Sequence, residues 1–166
     1  MNSKNLGPSS SKDKPIIATG PAGHPQLTKL PEWPASTIAL LSTIDGGPCA
    51  IPVAAPVRAG DQHILVSLER TRGSLARLHA NPHVALAILT GGNRAFTALG
   101  RARIVQKSMP DAPNYVAVEI DVEEIDDHRS AGVVVESGVR VQFPDDAELS
   151  LLKRIDALRE RTKRKP

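Results

Sequence analysis

Apolar positions fall into short runs, each closed by a turn, and the run from Ile64 to Leu68 leads into the best-defined stretch of the chain. It ends at the charged turn Glu69-Arg70-Thr71-Arg72-Gly73. Ser74 to Ala80 then places Leu75 and Leu78 three apart, on one side of about two helical turns. Asn81-Pro82 closes that helix, because the residue before a proline is pushed out of the α region. Val84 to Leu89 and Ala95 to Val105 read as two further strands, joined through Gly91-Gly92-Asn93.

Upstream, Thr37 to Ile44 predicts a strand and Asp45-Gly46-Gly47-Pro48 a tight antiparallel turn. The next strand, Cys49 to Arg58, carries Pro52 and Pro56. Proline cannot donate to a ladder, so this strand is expected to be an edge, bulged or split. Downstream, Gln106 to Asn114 is a polar loop, and Tyr115 to Glu123 alternates. Val116, Val118, Ile120 and Val122 fall on one face; Ala117, Glu119, Asp121 and Glu123 fall on the other, read as a solvated acidic face. Val133 to Glu136 and Val139 to Phe143 predict a second hairpin around Ser137-Gly138. A last helix starts at Asp145 or Asp146 and carries Leu151, Leu152, Ile155 and Leu158 on one face. Six to eight short strands with one short inserted helix and one C-terminal helix point to a mainly β chain, a barrel or a sandwich.

Composition narrows this. The 166 residues suit a single core, since roughly 100–200 residues make one domain. Residues 1–26, rich in Ser, Lys, Pro and Gly, read as a disordered arm before a domain over 27–166. Aromatic residues are 2% of the chain, so Val, Ile, Leu and Ala must build the core. Trp33 is expected to cover one end of it. The net charge of +3 comes largely from the two ends, which argues against a nucleic-acid partner. One cysteine, Cys49, excludes an internal disulfide and reads as a small buried filler. No run approaches the ~20 apolar residues of a membrane span. A soluble, cytoplasmic protein without membrane contact is expected.

The candidate chemistry is sparse. His79 and His83 have the spacing of two metal ligands on a helix, but Pro82 lies between them, so no metal site is expected. No serine sits in a nucleophile-elbow context, and no catalytic side chain is identified. What remains is Arg70-Thr71-Arg72-Gly73-Ser74. Two guanidiniums, two hydroxyls and the first amides of the following helix suit a phosphate. The alternative is an exposed basic turn salt-bridged to Glu69.

With these parts in order, the chain resembles the split β-barrel flavoproteins, the pyridoxamine-phosphate-oxidase-like and deazaflavin-dependent proteins. TIALLSTIDGGPCAIPVAAPV matches the first hairpin, VSLERTRGSLARLHANPHVALAIL the strand-turn-helix-strand and AFTALGRARIV the next strand, together covering roughly residues 35 to 125. The resemblance implies an antiparallel split barrel, a homodimer with the cofactor at the subunit interface, and FMN phosphate held by Arg70, Thr71, Arg72 and Ser74. It places the flavin ring against Pro52, Val53 and Ala54 on one strand and Val66 and Ser67 on another. Thr71-Arg72 match a Ser/Thr-Arg-Lys run of the family. Gly73 or Ser74 stands where its lysine is usual, leaving Arg70 and Arg77 as nearby cations. The C-terminal LLKRIDALRERTKRKP lacks the Arg-x-His of the true pyridoxamine-phosphate oxidases, so vitamin B6 oxidase activity is not expected. The implied function is an FMN-dependent oxidoreductase acting on a small molecule. The alternatives are a deazaflavin-dependent reductase and a non-catalytic flavin- or haem-binding module.

Overall fold

A computed structural model describes residues 18–19 and 25–163. The arm expected over residues 1–26 therefore lies mostly outside the described residues. Its described pieces, β1 (Ala18–Thr19) and β2 (Pro25–Gln26), pair antiparallel, and Gln26 lies opposite Asp126.

Six longer strands carry the barrel. They are β3 (Ile38–Ile44), β4 (Pro48–Ala54), β6 (His63–Glu69), β7 (His83–Thr90), β8 (Arg94–Gln106) and β9 (Tyr115–Asp127). The short β5 (Val57–Arg58) pairs with β6. Helix α1 (Ser74–Ala80) joins β6 to β7, and α2 (Asp145–Lys163) ends the described chain. All pairings are antiparallel, in the order β4-β3-β7-β8-β9-β6-β5 around the wall.

The wall does not close by hydrogen bonds. Among the described residues β4 pairs only with β3, and β6 only with β5 and β9, although β4 and β6 lie against one another. The cause is local to Ala55-Pro56. Ala55 takes a positive φ of 52° and its N–H bonds to the Thr37 carbonyl at 2.8 Å, so the chain leaves β4 before resuming as β5. Pro52 sits on the one-sided strand, where a missing donor is tolerated. This is the split that the two prolines foretell.

Leu41, Ile64, Val66, Leu86, Ile88, Phe96, Val118 and Ile120 fill the barrel. Trp33 covers one end: its ring lies 5.8 Å from that of Phe96, and its Nε1–H donates to the Pro56 carbonyl at 2.9 Å. Gly100 lies at a bulge between β8 and β9, where any Cβ would overlap the Asp121 carbonyl.

Four expectations are corrected. Residues 128–144 form no hairpin. The Val135 carbonyl accepts from Asn93 N–H at 3.1 Å and its N–H donates to Asn93 Oδ1 at 3.2 Å, so the segment docks on the β7–β8 turn. The β9 outer face is not a solvated acidic face. Glu119 is 4% exposed, because α2 and the 106–114 loop fold over it and Arg103 pairs with it at 2.5 Å; Asp121 and Glu123 do face water. On α2, Leu151, Ile155 and Leu158 are buried, but Leu152 turns outward at 51% exposure. Cys49 is half-exposed on the edge strand rather than buried filler.

Candidate functional site

The turn after β6 is built by its own backbone. Arg70 N–H donates to the Asn114 carbonyl at 2.8 Å, and Arg72 N–H to the Glu69 carbonyl at 3.2 Å. Gly73 then starts α1 with no side-chain cap. Glu69 gathers two of the expected anion donors. Arg72 Nε donates to Oε2 at 2.9 Å, and Thr71 Oγ1 donates to Oε1 at 3.2 Å. The Arg72 hydrogen bond holds the Glu69 carboxyl below its ordinary range. The Arg72 side chain remains 74% exposed. Ser74 is 3% exposed, and its Oγ has no hydrogen-bond partner among the described residues. A buried hydroxyl left without a partner is costly, and a ligand oxygen is one way to satisfy it.

Arg70 points elsewhere. With His79, Arg103 and Lys107 it rims a cavity of about 570 Å³ between α1 and the ends of β8 and β9. The cavity floor is Leu75, Leu78, Ala102, Ile104 and Val116, and no carboxylate lines it. Arg103 is tied to Glu119, whereas Arg70 and Lys107 have no ion-pair partner among the described residues. A basic rim over an apolar floor suits a ligand that is anionic at one end and apolar in its body.

The five expected ring contacts do not form one surface. Val53 and Val66 face the barrel core, whereas Pro52, Ala54 and Ser67 face outward, as strand alternation requires. Pro52 is open to solvent. Ala54 packs with Ala55, Leu151 and Ile155, so α2 lies over it. Leu158 of the same helix packs with Leu65 and Ala117. Between them Arg154 donates from Nη1 to Ser67 Oγ at 3.1 Å, and its guanidinium stacks 4.0 Å from the Tyr115 ring centroid. Burial pushes the Arg154 pKa down, with Tyr115 and Glu69 acting the other way. Arg154 was not among the expected site residues. Its signal was available: it stands three residues after Leu151 and four before Leu158, on the apolar face.

Two further features matter. His63 Nδ1 lies 3.8 Å from Glu119 Oε1 and 3.4 Å from Asp121 Oδ1. Among the described residues no cluster of three or more His, Cys, Asp and Glu is arranged to hold a metal, and no helix is long and apolar enough to cross a membrane.

No protein-family pattern matches the chain, and no curated protein matches its sequence. Solved structures do match. A protein from Lactobacillus delbrueckii, provisionally named a pyridoxamine 5'-phosphate oxidase, is 20% identical over 60% of this chain and 97% of its own, with a TM-score of 0.51. A protein from Listeria innocua with the same provisional name is 16% identical over 56% of this chain and 89% of its own, at 0.48. A FAD-binding protein from Mesorhizobium loti is 17% identical over 55% and 84%, at 0.44. The fold is thus the split barrel of the pyridoxamine 5'-phosphate oxidase-like proteins.

Proposed function

We propose that this chain is a flavin-binding oxidoreductase of the pyridoxamine-phosphate-oxidase-like superfamily. In this reading it uses FMN and acts on a small molecule as a cytoplasmic homodimer. The observation that carries the reading is the acid-free cavity beside the turn, rimmed by Arg70, His79, Arg103 and Lys107 over an apolar floor.

The residues fit the phosphate end of FMN. Arg70, which rims the cavity beside Lys107, has no acid partner among the described residues; Thr71, Arg72 and Ser74 lie on the turn outside the cavity's lining, where the buried Ser74 hydroxyl is unsatisfied. Pro52 and the unpaired edge of β4 offer backbone groups to a ring, while Ala54 and Ser67 lie beneath α2. When bound, FMN supplies the electron or hydride transfer, and this chain supplies binding, orientation and charge. No side chain is assigned a catalytic role.

The dimer is supported by the outer face of β4-β3-β7-β8. Pro52, Leu40, Ala87 and Thr97 form one cross-strand row and Ala50, Ser42, Ala85 and Leu99 the next. Leu40, Ile44 and Leu89 are 48%, 54% and 54% exposed. An apolar sheet face of this breadth suits an isologous contact with a second copy. The single cysteine, half-exposed, is compatible with a reducing compartment.

One observation favours a second reading. Lys107 and Arg103 add two cations to the rim beside Arg70, which suits the longer anionic tail of a deazaflavin. Separate absorbance titrations with FMN, a deazaflavin and haem decide between these. Saturable FMN binding together with nicotinamide-driven cycling supports the proposal. Binding of the deazaflavin alone supports the second reading. Saturation by FMN without turnover by any reductant leaves a carrier and overturns the enzyme.

A further inference from the structure

We infer that helix α2 is a latch over the β4–β6 split, held shut through Arg154, and that a flavin ring reaches Ala54 and Ser67 only when the latch lifts. This rests on the flavin reading above. Arg154 and the two apolar contacts on either side of it place the helix across the opening. Leu151 and Ile155 pack with Ala54 and Ala55, Leu158 packs with Leu65 and Ala117, and Arg154 bonds Ser67 between them.

The polar part of the hold is a weak one. The guanidinium is partly buried without a carboxylate within ion-pair range among the described residues, and Glu69, an acid whose charge it feels, is occupied by Arg72 and Thr71. Burying a cation without a paired anion costs free energy that stacking on Tyr115, the Ser67 hydroxyl and the Ser150 carbonyl offset only in part. The helix follows a segment that lies against the β7–β8 turn at Glu136 and Gly138 and packs through Phe143 with Ala55, Leu151 and Ile155. Residues 128–144 contain no helix or strand and are pinned at Asn93 by the two bonds to Val135. Beyond that pin, Val139 and Val141 are exposed. Lifting α2 exposes Leu151, Ile155 and Leu158 and breaks the Arg154 contacts to Ser67 and Tyr115, while every barrel ladder stays intact.

Two full-length variants test this. Apparent affinity scales with the fraction of open molecules, so loosening a latch tightens binding, whereas removing a ligand weakens it. Arg154→Met keeps the stem and removes the Ser67 bond; it is expected to bind FMN about threefold or more tighter than the unmodified chain. In a Cys49→Ser background, Ala54→Cys with Ile155→Cys staples α2 down. The oxidised form should lose FMN binding by about tenfold or more and regain it with reductant. Equal affinity of oxidised and reduced staples overturns the latch, as does weaker binding by folded Arg154→Met. If the unmodified chain binds no FMN, the flavin reading fails, and hydrogen exchange judges the latch separately. Amides of residues 146–163 exchanging ahead of β8 and β9 support it; exchange of α2 only with the whole barrel overturns it.

Discussion

Arg154 on the last helix donates to the hydroxyl of Ser67, 87 positions earlier, on the strand that leads into the basic turn. One side chain thereby ties the C-terminal helix to the part of the barrel where the sequence concentrates its anion-binding groups. Ser67 is half of a ring contact implied by the family resemblance. In this structure it is occupied by the chain's own cation.

Replacing both arginines of the turn tests the phosphate assignment. Arg70→Ala with Arg72→Ala removes two charge-assisted donors, each contributing about 1.5–3 kcal/mol. FMN affinity should fall by about a hundredfold or more while riboflavin affinity stays unchanged. Both arginines are exposed, so thermal denaturation should be little altered. Equal loss for both ligands would place the effect outside the phosphate.

The outer sheet face gives a second prediction. Leu40→Arg with Leu89→Arg puts two charges into the exposed apolar rows of β3 and β7. Analytical ultracentrifugation should show a dimer for the parent chain and a monomer for the variant. A parent chain that sediments as a monomer at micromolar concentration contradicts the interface.

A third concerns acid stability. Hydrogen bonds from Arg129 hold the Asp127 carboxyl below its ordinary value of 3.8, with burial pushing the other way. A depressed folded pKa means the stabilisation is complete above the unfolded value. It is lost as pH falls through the folded one. Asp127→Asn should therefore flatten the drop in melting temperature below about pH 4 and leave the Arg129 side chain unpaired at neutral pH. An unchanged acid limb would show that the pair contributes nothing.

Gly100 supplies a fourth. A Cβ at the β8–β9 bulge overlaps the Asp121 carbonyl and crowds Val122 Cα, both backbone atoms that cannot swing aside. Gly100→Ala should cost about 3 kcal/mol in denaturant unfolding. Gly47→Ala, with open space around its Cβ, is the control and should cost well under about 1 kcal/mol.

The reach of sequence reasoning depended on whether a signal was local. Helix α1 has the bounds that Leu75, Leu78 and Asn81-Pro82 predict, because its punctuation is contained in its own residues. The break in the second strand was equally legible, since Pro52 and Pro56 forbid a continuous ladder whatever surrounds them. Val133 to Phe143 failed for the opposite reason. Its β-branched residues look like a hairpin, yet Asn93, some forty residues earlier, takes both backbone groups of Val135. Glu119 failed similarly: alternation fixes which face a side chain takes, but not that α2 and the 106–114 loop return to cover that face.

At the site, the salt bridge of Arg72 to Glu69 was legible as the plain alternative, and both it and the basic cavity are present. Splitting the expected ring contacts between two faces follows from strand alternation alone, which sets Val53 against Ala54 and Val66 against Ser67. Lys107 and Arg103 escaped notice because they join Arg70 only through the β8–β9 hairpin.

The measurement that bears most directly on the central claim is calorimetric titration of the full chain with FMN and, separately, riboflavin. Flavin binding through the basic turn predicts saturable FMN binding at about 10 μM or tighter and riboflavin weaker by about tenfold or more. Absence of saturable binding by either, or FMN held no more tightly than riboflavin, would contradict it.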